Sequence, residues 1–127
     1  MAPPTPLAIA TQAVNRLVKE ESYYHKEQAS QEKRINKLEE DIENNSPDLD
    51  TNSEYILKQE ASYPKAALEE TKAVFEPLKK RITEAVEKLE EQIAITESDG
   101  NGSEEELKKA KEALGTGQKA TEIQEEA

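Results

Sequence analysis

Along the first third of the chain one position in every three or four falls on a single helical stripe, and the middle of that stripe is polar. The stripe runs through Leu7, Ala10, Val14, Leu17, Glu21, Tyr24, Gln28, Gln31, Ile35, Leu38 and Ile42. Alternating steps of three and four keep such a seam turned toward partner helices. Its two ends are apolar, whereas Glu21, Gln28 and Gln31 occupy its centre. This predicts a long helix over about 5–44 in a slender bundle, with firmly buried ends and a middle held by hydrogen bonds or water. Thr5 before Pro6 supplies an N-cap and a first helical residue. The segment Asn44–Asp48, with Pro47 in it, ends the helix, because asparagine favours turns and proline disfavours helix in the residue before it.

The second seam reads Leu57, Ala61, Pro64, Leu68, Thr71, Phe75, Leu78, Ile82, Ala85 and Leu89, and Val74, Val86 and Ile93 widen it. A stripe this wide faces two neighbours rather than one. A helix is predicted over about 49–97, with its cap at Ser46–Pro47 or in the capping-box spacing Thr51 to Glu54. Pro64 and Pro77 lie inside the pattern, and the expectation is a kink, or at Pro64 a break. The segment from Glu97 to Ser103 contains Gly100 and Gly102 and reads as a turn. Ser103 to Glu106 then has capping-box spacing, with acids on the positive end of the following helix. Leu107, Ala110 and Leu114 form a short stripe, so the third helix is expected over 103–114, with Gly115 as its C-cap and a frayed acidic tail over 116–127. The fold class expected is all-α, an elongated antiparallel three-helix bundle, coiled-coil-like, occupying residues 1–115.

Composition supports this architecture over a thick layered core. Of 127 residues, 34% are hydrophobic and 35% charged, with one Phe and no Trp. Disordered acidic chains share such a composition but do not repeat apolar residues at helical spacing. The net charge of −11 is unevenly spread: through Asn44 six bases face eight acids, giving −2 and leaving −9 downstream. A nucleic-acid footprint needs clustered Lys and Arg, and Lys79–Lys80–Arg81 reads as a solvated helix face, so no nucleic-acid partner is expected. Without cysteine there is no disulfide or thiolate chemistry. No segment approaches a membrane-spanning length and no leader is evident, which points to a cytoplasmic protein with no membrane partner.

Catalysis and cofactor binding are not expected. The single histidine, His25, would need convergent ligands to hold a metal, and only carboxylates are on offer. Adjacent glutamates such as Glu20 and Glu21 diverge by ~100° on a helix instead of converging. The outer surface of the first helix is more telling. Ile9, Arg16, Tyr23, Ser30 and Lys37 share one heptad position that faces away from the seam. Aromatic residues and Arg are enriched at binding hot spots, so this row is a candidate partner surface, unless the third helix covers it. For the polar centre at Glu21, Gln28 and Gln31 two readings stand side by side. It fixes helix register, or it leaves the segment adaptable for a partner.

The string VNRLVKEESYYHKE from Val14 to Glu27, followed by Gln31–Glu32 and the segment Ile35 to Leu38, closely resembles the tubulin-binding cofactor A family, also called tubulin-specific chaperone A. The segments Leu68 to Lys72 and Leu78 to Ile82 fit the second helix of that family. The likeness covers roughly residues 7–115, and it departs from the family pattern around Ala61–Ala66, at Pro77 and in the long tail. It implies a cytosolic, cytoskeleton-associated three-helix bundle without enzymatic activity. Such a protein captures β-tubulin after chaperonin release and passes it, along a route shared with other tubulin-folding cofactors, toward the αβ dimer. The residues carried over by resemblance are Arg16, Leu17, Lys19, Glu20, Tyr24, Glu27, Gln31 and Glu32, joined by Ile9 and Tyr23 from the outer row. β-Tubulin is itself acidic, so long-range attraction to a chain of −11 is not expected. The competing reading is a self-associating coiled-coil scaffold or tether. The glycine-bearing turn and the capped third helix favour a closed monomer.

Overall fold

The computed structural model describes residues 3–45, 51–100 and 102–126. Among them are three helices and no strand: α1 (Pro6–Asn45), α2 (Thr51–Asp99) and α3 (Glu104–Glu126). The local chemistry of the helix ends follows the sequence. Thr5 caps α1, its hydroxyl accepting from the Ala8 N–H at 3.0 Å and its carbonyl from the Ile9 N–H at 3.0 Å. Ser103 does the same for α3, accepting from the Glu106 N–H on its side chain at 3.0 Å and from the Leu107 N–H on its carbonyl at 3.1 Å. The Glu106 carboxylate accepts from the Thr5 hydroxyl at 3.4 Å. Gly100, at φ 67°, closes α2 by donating to the Thr96 carbonyl at 3.1 Å, a conformation that glycine adopts without steric cost. The proposed cap at Ser46–Pro47 and the side chain of Thr51 lie outside the described residues.

Two expectations about boundaries are corrected. First, α2 is not broken at Pro64, nor at Pro77; it runs without interruption through both. Each proline removes one N–H, leaving the carbonyls of Glu60 and Ala73 without their usual partners, and both of those residues are exposed where water can serve them. Second, α3 does not end at Gly115 but continues to Glu126. Gly115 is not in the left-handed conformation of a C-cap. The helix persists because its buried face continues past 114 on small residues. Ala110, Ala113, Gly117 and Ala120 are all buried.

Packing divides the chain into two units, residues 1–22 with 75–127, and residues 23–74. In the first, Leu7, Val14 and Leu17 of α1 are buried, as are Leu78, Ile82, Ala85, Val86, Leu89 and Ile93 of α2 and the small residues of α3. A fully buried aliphatic side chain contributes about 1.5–3 kcal/mol, and five of these, including Val14 and Ile82, are exposed by 2% or less. Thr11 is buried too; its hydroxyl donates to the Leu7 carbonyl at 2.8 Å, so it packs as a small apolar group. Within this unit Glu20 meets Arg81 at 3.8 Å, Lys111 meets Glu97 at 3.2 Å, and the Gln118 amide donates to Glu90 at 3.3 Å.

The second unit holds less. Its buried hydrophobic residues are Ile35 and Ala61, joined by Pro64 and Thr71. Leu38, Ile42, Leu57, Leu68 and Val74 are half-buried. Lys65 pairs with Glu39 at 2.8 Å, but both side chains are about half exposed, and such a pair contributes at most about 1 kcal/mol.

The two glycines inside α3 should respond oppositely to substitution. A Cβ at Gly115 meets open space, whereas one at Gly117 would stand 2.7 Å from Val86 Cγ2 and 2.9 Å from Val14 Cγ1. Valine is stiff at χ1 and cannot swing away. Gly115→Ala is expected to raise stability by about 0.5–1 kcal/mol, and Gly117→Leu to lower it by about 1–3 kcal/mol, in urea unfolding. Equal responses at the two positions would contradict the packing of α3.

Candidate partner-binding site

In the first unit the outer row of α1 borders an open groove of about 610 Å³. One wall is Pro6, Ile9, Ala13 and Arg16 of α1, and the other is Arg81, Glu84, Lys88, Glu91 and Gln92 of α2. Ala10, Leu17 and Ala85 complete its lining. The groove exists because the seam places short side chains there: alanines at 10 and 85 and at the flank position 13 leave a trough that leucines would have filled. Ile9 stands 54% exposed at its edge. A helix face left bare of covering side chains, with an isoleucine beside it and guanidinium groups at one end, has the composition of a protein-docking surface. Among the described residues no group of three or more His, Cys, Asp or Glu is placed to hold a metal ion.

Within this unit the third helix does not cover Ile9 and Arg16. It borders the opposite flank of α1, where Ala8, Thr11, Gln12 and Asn15 line a cleft with Glu106, Lys109, Ala113 and Thr116. Ile9 and Arg16 are therefore brought together with partners from α2. Of the residues carried over by resemblance in this unit, Leu17 is buried, Lys19 is exposed and Glu20 is half-buried. The α2 wall escaped the sequence reading. Lys79–Lys80–Arg81 registered only as a charged helix face, and nothing along one chain tells which rows of two helices become neighbours. The 3.8 Å pair between Arg81 and Glu20 is what ties that run to the first helix.

In the second unit Tyr23 is 61% exposed and meets Tyr24 edge to face, with ring centroids 5.4 Å apart and planes at 74°. Tyr24, His25, Glu27, Gln28 and Gln31 are half-buried and Glu32 is exposed. The polar centre of the seam is thus turned inward as its spacing requires. Glu21, the polar seam residue that falls in the first unit, is buried at 4% exposure and is not without a partner. The Gln28 amide donates to Glu32 at 3.1 Å. Gln31 is different: its side-chain Oε1 is buried and accepts no hydrogen bond within the protein. The sequence reading did not mark Tyr55 and Tyr63, which are 61% and 75% exposed on α2. Their eight-residue spacing on one helix face was the available signal.

A buried acceptor without a donor carries a desolvation cost of about 1–3 kcal/mol. Gln31→Met, which keeps the length and removes the amide, is expected to raise the urea midpoint, corresponding to about 1 kcal/mol. A lower midpoint would show that the amide holds the seam together.

The family model for tubulin binding cofactor A matches residues 2–114 of the chain. No curated protein is matched, and no solved structure is matched.

Proposed function

The chain belongs to the tubulin binding cofactor A family, and from that premise we propose that it captures β-tubulin folding intermediates after chaperonin release and passes them toward αβ-dimer assembly. Membership implies a tubulin-folding cofactor role, and it is membership of a family of binding cofactors rather than of enzymes. The family match over residues 2–114 carries the proposal, and the open groove beside Ile9 and Arg16 supports it with a surface suited to a protein client. In this reading the client meets Ile9, Arg16, Lys19 and Glu20 in the first unit. Tyr23, Tyr24, Glu27, Gln31 and Glu32 are further contact candidates in the second.

The protein works in the cytoplasm beside the cytoskeleton, as a monomer, alongside the other tubulin-folding cofactors. No described helix is long and apolar enough to cross a membrane. An antiparallel course for the paired parts of α1 and α2 belongs to the same proposal. It is supported by Glu20 lying against Arg81 while Pro6 and Gln92 border one cleft. A bend of α2 at Pro64 is part of it as well.

Co-elution with tubulin subunits released from the αβ dimer tests the reading. Selective capture of β-tubulin is expected, and indifference between the α and β subunits would sink it. Sedimentation equilibrium separates the alternative, a self-associating scaffold: a monomer mass across the concentration range supports the cofactor, and a concentration-dependent dimer supports the scaffold.

A further inference from the structure

We infer that the groove of the first unit receives an amphipathic helix of the client, and that this helix carries carboxylates at the end bounded by Arg16 and Arg81. The inference rests on the proposed capture of β-tubulin and assigns it a docking mode.

Three observations converge. The groove follows α1 from Pro6 to Leu17, a run of about 17 Å at ~1.5 Å per residue, which is the length of about three turns of a partner helix. Its floor of Ala10, Leu17 and Ala85 is apolar, with Ala13 and the exposed Ile9 along one edge. An amphipathic helix laid in such a trough buries residues at i, i+3 or i+4, and i+7, and satisfies its own backbone hydrogen bonds, which an extended segment on two helices cannot do.

Charge then selects the kind of helix. In a chain with 28 acids, Met1 to Lys19 contains none, and it carries Arg16 and Lys19. On the facing wall, residues 77–83 are likewise free of acids and include Arg81. The groove therefore ends between two segments that hold Arg16 and Arg81, bordered by Glu20 and Glu84, in a protein of net charge −11. Among the described residues Arg16 forms no ion pair, and Arg81 holds Glu20 only at 3.8 Å with its own side chain 55% exposed. Both guanidinium groups are available to a carboxylate, with planar donors suited to bidentate contact. Glu84 lies one turn from both Arg81 and Lys88, and Glu91 lies toward the Pro6 end, so the two guanidinium groups stand together at one end only and give the occupant a direction. An acidic chaperone can in this way hold an acidic client: the net charges repel weakly through salt, while the contact itself is complementary.

The experiment uses the full-length protein and β-tubulin released from the αβ dimer. With Ile9 replaced by the photo-crosslinker p-benzoylphenylalanine, the adduct is expected in a helical segment of β-tubulin that is apolar on one face and net acidic. Arg16→Glu should weaken capture by about tenfold with helicity unchanged, while Arg16→Lys stays within about threefold. Adducts in a strand, a loop or a basic helix would overturn the inference, as would capture indifferent to Arg16→Glu. Self-adducts of the Ile9 variant without tubulin would identify a second copy as occupant and overturn it too. In those cases capture by the unsubstituted protein still stands, whereas loss of that capture removes the functional reading together with the docking mode.

Discussion

The close approach of three helices at Val14, Val86 and Gly117 is the contact on which the rest of the first unit depends. A chain with 34% hydrophobic residues cannot fill a wide core with large side chains. It gains density by bringing backbones together instead. Gly117 has no side chain where Val86 and Val14 press in, and alanines at 110, 113 and 120 continue that thin face along α3. Close packing at interior density allows few adjustments, so the positions of α1 and α2 around this point are set within narrow limits. The groove between Ile9 and Lys88 inherits that definition. A docking surface built on firmly packed helices loses little conformational entropy when a partner binds.

The second unit lives under the same scarcity with a different outcome. Its share of the polar seam centre turns Gln28 and Gln31 inward where the first unit has Val14 and Leu17, and Gln31 Oε1 accepts no hydrogen bond from the protein. All four tyrosines of the chain, Tyr23, Tyr24, Tyr55 and Tyr63, fall in this unit, and three of them are largely exposed. Aromatic area that could have stabilised a core is thus left at the surface. Segments with few buried apolar contacts open at lower free energy than the core of the same protein.

Much of this was legible from spacing alone. Every seam position assigned to α1 and α2 among the described residues is buried or half-buried, down to the polar ones, because a period near 3.6 leaves a helix no other face to bury. The outer row proved exposed for the same reason. What spacing could not deliver were features set by the partner helix. Gly115 reads as a helix end in one dimension, since glycine both terminates helices and permits close contact, and only the approach of Val14 and Val86 to Gly117 two residues on shows that the helix continues. Thr11 lies off the seam spacing and is buried all the same, its hydroxyl returned to the Leu7 carbonyl. The α2 wall of the groove depends on which rows of two helices come together, and a one-dimensional pattern does not contain that. The family resemblance named a client, but the surface that would meet it came from the packing.

The apolar seam makes the first unit a firmly packed platform, while the polar seam leaves the second weakly held. Native-state hydrogen exchange resolved by residue tests this contrast most directly. The slowest exchange is expected at the amides of Val14, Leu17, Ile82, Val86 and Leu89, approaching that of global unfolding. Gln28, Gln31 and the stretch around Leu68 should exchange markedly faster through local opening. Uniform protection along α1 and α2, or slower exchange at Gln31 than at Val14, would contradict it.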